Sequence, residues 1–134
     1  MKTLPKTPSK FISMALKDLR KIEKDERYIV DMGNWHYTRN SRGPCYVCLA
    51  GAVMARELGS DPGEWRVPGN FPRVTTKLWA LDYLRRGDPQ PLLKAYGQDP
   101  GAIRPRRVPE YRMDRKGWFE AMEALMEDFR GIGL

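Results

Sequence analysis

Two stretches of this sequence cannot form regular structure, and they decide how the rest can fold. Ser60–Arg73, SDPGEWRVPGNFPR, carries three prolines and two glycines without periodicity, and Gln98–Met113 is broken by the prolines of IRPRRVPEYR. Proline removes a backbone donor and clashes with the preceding helical turn, so neither stretch can continue a helix. What remains is a set of short windows, and most of them carry a helical period.

The first window opens at Thr7-Pro8, which has the form of an N-cap followed by proline at the first helical position. A helix to about Lys24 is predicted, with Phe11, Ala15, Leu19 and Ile22 on one stripe and Lys10, Lys17, Lys21 and Lys24 off it. From Arg27 to Thr38 the chain is rich in β-formers around Gly33-Asn34, which predicts a short hairpin pairing the Tyr28 and Tyr37 regions. Two strands alone are marginal, so this hairpin has to lie against helices.

Asn40–Pro44 is a loop by its turn chemistry, and Cys45–Leu58 then reads as a helix with Gly59 at the C′ position. Its Ala50, Gly51, Ala52 and Ala55 permit close approach of a neighbour, which marks it as the central buried helix. Ser60–Arg73 carries Trp65 and Phe71 inward. Val74–Arg86 is helical through Leu78, Leu81 and Leu84 and ends at Gly87; a shorter helix, Gln90–Tyr96, stops at Gly97. Asp114 caps a last helix to about Arg130, with Phe119, Met122, Met126 and Phe129 on its apolar stripe. The fold class is therefore mainly α, or α+β: a bundle of four to five helices with one short β-hairpin. One domain spans 1–134, with 1–6 as a flexible basic lead and 98–113 as a basic loop rich in proline and arginine; no internal repeat or second domain is visible.

A chain of 134 residues with four tryptophans has enough apolar material for one core. No apolar run approaches the roughly 20 residues of a membrane span, and the lysines of MKTLPKTPSKF are followed by no apolar segment of a signal peptide. The expectation is a cytoplasmic protein with reduced thiols and no membrane partner. A net charge of +7 and a pI near 9.6 point to a polyanionic partner: nucleic acid, a nucleotide or an acidic protein face.

Trp35–Gly59 holds the sole histidine and both cysteines. Cys45-Tyr46-Val47-Cys48 is formally a C-x-x-C, yet it lacks the preceding strand of a redox motif and the further ligands of a zinc site, so no metal or other cofactor is expected. Placed at a predicted helix start, where free amides lower a thiol pKa, Cys45 is a candidate nucleophile with His36 as its base. That arrangement resembles papain-like hydrolases in outline, but in that class the histidine follows the cysteine. The competing reading is that both thiols simply pack. In an alternating strand Trp35 and Tyr37 share one face, a possible stacking platform or core face, and His36 and Thr38 share the other.

Arginines supply the better candidates. Arg39 and Arg42, beside Gly43 and the next predicted helix start, form an anion site, although Pro44 removes one amide from it. Arg104, Arg106, Arg107 and Arg112 with Tyr111 form a second; Ile103–Lys116 has five arginines and one lysine against Glu110 and Asp114, a net of +4. Basic residues interleaved with an aromatic suit phosphate contact with base stacking. No P-loop, Rossmann, helix-turn-helix, zinc-finger or RNA-recognition pattern occurs.

The block WHYTRNSRGPCYVCLAGAVMARELG resembles a pattern in small uncharacterised proteins of tailed bacteriophages, over residues 9–60. The resemblance implies a host-cytoplasmic setting and an accessory role: inhibition of host or defence machinery, nucleic-acid binding, or trapping of nucleotide signals. Together these readings favour a non-enzymatic binding protein for a phosphate-rich ligand or an acidic host partner. The alternatives are a cysteine enzyme or thiol switch using Cys45 with His36, and a protein-interaction subunit or homodimer using the small-residue helix or exposed aromatics.

Overall fold

A computed structural model describes residues 4–32, 36–38, 45–57 and 72–134, with the side chains of 36–38 and 72–75 outside the description. Among these residues the chain forms five helices and three short strands. Helix α1, Pro8–Glu23, starts as its sequence dictates: Thr7 is extended and its hydroxyl accepts the Lys10 amide. The stripe of Phe11, Ile12, Ala15, Leu16, Leu19 and Ile22 is buried, and Lys10, Lys17, Arg20 and Lys21 face water.

Strands β1 (Tyr28–Val30), β2 (His36–Thr38) and β3 (Cys45–Val47) form one sheet in the order β1-β3-β2. β1 runs parallel to β3, Ile29 opposite Tyr46; β2 runs antiparallel to it, Tyr37 opposite Tyr46. Alternation gives β3 two faces: Cys45 and Val47 are buried against the helices, and Tyr46 emerges on the other side beside Ile29, which is 42% exposed. The antiparallel hairpin is thus β2 with β3, whereas the sequence had paired the Tyr28 region with the Tyr37 region. The parallel partnership of β1 leaves no local turn signal to read.

Helix α2, Leu49–Glu57, follows directly, and every residue from Leu49 to Met54 is buried. The predicted Cys45–Leu58 helix is corrected at its start: in Cys45-Tyr46-Val47 the period is two, and the helical period begins only at Leu49. Ala50, Gly51 and Ala52 lie in the core, with Ala55 partly buried at its edge. Helix α3, Pro72–Leu84, packs against α2 and against α4, Gln90–Ala95. Helix α5, Arg115–Gly131, is capped by the Asp114 carboxylate, which accepts the Gly117 amide at 2.8 Å. A Cβ on Gly117 would lie 2.2 Å from that carboxylate, so the cap needs glycine there. Trp118, Met122, Leu125 and Phe129 of α5 close the core against α1. The lead is anchored from Leu4 onward, contrary to its expected freedom: Leu4 is buried, and the Tyr96 hydroxyl donates to the Pro5 carbonyl at 2.7 Å.

The 98–113 loop is irregular, as its prolines require, but it is fixed. Ile103 is buried, the Arg106 amide donates to the Gly87 carbonyl at 3.1 Å, and the Arg106 guanidinium pairs with Asp128 of α5 at 2.6 Å. Gly87 has φ +75°, and a Cβ there would stand 2.3 Å from the Arg106 carbonyl oxygen. The predicted turn and connection residues Gly33, Asn34, Asn40–Pro44, Gly59, Trp65 and Phe71 lie outside the described residues.

Asp18 places a carboxyl in the core: on the buried side of α1, 3% exposed, it meets Glu57 of α2, and its Oδ2 has no hydrogen-bond partner among the described residues. Burial, then the charge and hydrogen bond of Glu57, push its pKa up to about 7, with Arg56 and Lys21 opposing. The folded state therefore retains a proton that the unfolded chain gives up near pH 4. Stability is full below pH 4 and declines by up to about 1.4 kcal/mol per pH unit until pH 7. Asp18→Asn is expected to match the parent's Tm at pH 4 and to exceed it at pH 8; equal Tm values at both would refute the retained proton. Gly87→Ala is expected to cost about 2 kcal/mol or more, from left-handed strain plus the clash, read as a fall in Tm of more than about 5 °C.

Candidate ligand-binding cleft

Three elements meet around a cleft of about 680 Å³: the outer face and edge of the sheet, the end of α3, and the last part of the proline- and arginine-rich loop. The sheet contributes Ile29, Asp31 and Met32 from β1 and its exit, and Tyr46 from β3. Arg85 and Arg86 come from just beyond α3, where Gly87 turns the chain, and Glu110, Tyr111 and Arg112 form the opposite wall.

These side chains hold different duties. Arg85 is structural: it donates to the Met32 carbonyl at 3.1 Å and stands 3.8 Å from Asp82, tying α3 to the end of β1. Tyr111 is also committed. Its hydroxyl donates to Glu23, its ring meets Trp118 edge-on at 5.5 Å, and Arg115 donates to the other oxygen of Glu23 at 2.7 Å. Burial alone would raise the Glu23 carboxyl, but the bonds from Arg115 and Tyr111 hold it below the ordinary range. This clamp joins α1, the loop and α5 and fixes the wall from which Arg112 projects. Arg86 and Arg112 are exposed and make no ion pair among the described residues, so their guanidiniums are available to an anion.

The sequence candidates divide accordingly. Tyr111 and Arg112 line the cleft, Tyr111 as a clamped wall rather than a free stacking ring. Arg106 is bound to Asp128, and Arg104 lies with it on a separate hollow flanked by Glu127 and Asp128; Arg107 is exposed and lines neither. The arginine cluster is therefore not one surface. Trp35, Arg39 and Arg42 lie outside the described residues, as do the side chains of His36 and Tyr37. Arg85, Arg86 and Tyr46 line the cleft without a motif that marks them in the sequence. The signals were a basic pair ahead of a helix-ending glycine and the in-out-in alternation of Cys45-Tyr46-Val47.

Cys45 is not at a helix start. It occupies the inner face of the central strand, where burial raises its thiol pKa. Cys48 holds the capping position of α2, accepting from the amides of Gly51 and Ala50, but burial outweighs those bonds and pushes it up to about 11. Neither environment produces a thiolate nucleophile at neutral pH. Among the described residues no group of three His, Cys, Asp or Glu could hold a metal ion, and no described helix is long and apolar enough to cross a membrane.

In native protein at pH 7.5, iodoacetamide is expected to alkylate Cys45 and Cys48 at least tenfold more slowly than after unfolding in urea; rapid native labelling of Cys45 would revive the nucleophile.

No protein-family model matches this chain, and no characterised protein or solved structure is detectably similar to it.

Proposed function

We propose that this protein is a non-enzymatic binding module that takes a phosphate-bearing ligand in the cleft, with Arg86 and Arg112 as its phosphate contacts. The observation that carries the reading is the pairing state of the arginines. Arg106 and Arg115 are consumed by Asp128 and Glu23, and Arg85 by Asp82 and the Met32 carbonyl, while Arg86 and Arg112, which line the cleft from different elements, make no ion pair among the described residues. Guanidinium forks on separate, anchored elements can grip one phosphate from two sides without first breaking an internal ion pair. Buried, raised thiols support a binding role over the cysteine-enzyme alternative.

In the phage setting that the sequence resembles, such a protein would work in the host cytoplasm. Capture of a nucleotide, or of nucleic acid, would deprive host or defence machinery of it. An acidic protein surface could engage the same arginines, but the cleft's concavity favours a small ligand.

The test begins with protein purified at low salt, read by its 260/280 nm absorbance ratio and by mass spectrometry of whatever it releases on denaturation. A phosphate-bearing compound is expected, bound more weakly at 200 than at 50 mM salt. Each charge-assisted contact contributes about 1.5–3 kcal/mol, so Arg86→Ala and Arg112→Ala should each weaken binding about tenfold or more, with little change in Tm. Ligand-free protein that binds neither tripolyphosphate, a nucleotide nor a single-stranded oligonucleotide at 50 mM salt would overturn the proposal.

A further inference from the structure

We infer that the cleft selects a single nucleotide and rejects phosphate polymers, an inference that rests on the phosphate reading above. Its basis is the mixed lining. Glu110 stands two residues before Arg112 on the same anchored loop, is exposed, and its carboxylate has no hydrogen-bond or ion-pair partner among the described residues.

A strand of nucleic acid needs a continuous basic groove, and tripolyphosphate needs positive charge on all sides. Here a phosphate sliding past Arg112 meets Glu110, and two like charges about 4 Å apart repel by roughly 1–4 kcal/mol depending on solvent access. The same carboxylate is a good acceptor for a neutral donor, either a sugar hydroxyl or the amino group of a base.

Between the charged walls, Tyr46 and Ile29 present a half-exposed apolar surface from adjacent positions of β3 and β1. It suits the face of a planar ring. Two guanidiniums without an ion pair among the described residues, the Glu110 carboxylate and an apolar plane, all lining a cleft of about 680 Å³, match the three parts of a nucleotide: phosphate, hydroxyl or amino donor, and base. A bare sugar phosphate would leave the exposed Ile29 uncovered, and a polymer would meet Glu110.

Calorimetric titration at 50 mM salt would compare the four common nucleoside 5′-monophosphates with ribose 5-phosphate, tripolyphosphate and a thymidylate 12-mer. At least one monophosphate is expected to bind ten or more times more tightly than any of the other three probes. Glu110→Ala, which removes an exposed side chain without partners, should move the probes in opposite directions: the preferred nucleotide weaker by about fivefold or more, tripolyphosphate stronger. Ribose 5-phosphate equal to every nucleotide, or the polymeric probes tightest with Glu110→Ala strengthening all binding, would overturn the inference and leave the phosphate proposal standing. If no probe binds, both fall.

Discussion

Helix α2 is the constraint on which this fold depends. From Leu49 to Met54 it has no side that can face water, so it has to be enclosed completely: α1 and α3 pack against it, and β3 leads straight into it. Side chains of this kind contribute on the order of 1.5–3 kcal/mol each when removed from water, and Leu49, Val53 and Met54 are all within 1% of full burial. Alanines and Gly51 let those walls come close. With its inner face turned to the helices, the sheet has only one surface left for the outside, and that surface carries Tyr46 and Ile29. The location of the cleft is thus a by-product of what the core requires.

The distribution of acids explains how a basic protein comes to have selectively available arginines. Asp25, Asp128, Glu23 and Glu123 each pair with an arginine, namely Arg27, Arg106, Arg115 and Arg20. Exposed pairs of this sort contribute little individually. Glu23 differs, since it is largely covered, receives bonds from two residues and holds three segments together. Charge excess is a whole-chain property; availability is decided pair by pair.

Helix boundaries were legible wherever side chains signal them locally. Thr7-Pro8 and Asp114 set the starts of α1 and α5 as read, and Gly87 and Gly97 fell just beyond α3 and α4. The sheet was less legible, because three-residue strands give only one alternation each and β1 pairs in parallel with β3, the strand after next in the sequence. For the cleft, Tyr111 and Arg112 could be named from composition, but their division of labour could not. That Tyr111 spends its hydroxyl on Glu23 depends on residues 88 apart in sequence. Arg86 escaped notice because a basic residue before a helix-ending glycine has an ordinary explanation in the helix dipole.

The loop that carries the arginines is pinned at Ile103, at Arg106, at Val108 and at Tyr111, and its exposed charged positions between and beyond these lie outside the core. Arg104, Arg107, Glu110 and Arg112 can therefore vary without disturbing the scaffold. In this one segment a lineage has a set of letters it can rewrite, changing the charge of the surface while the architecture stays the same.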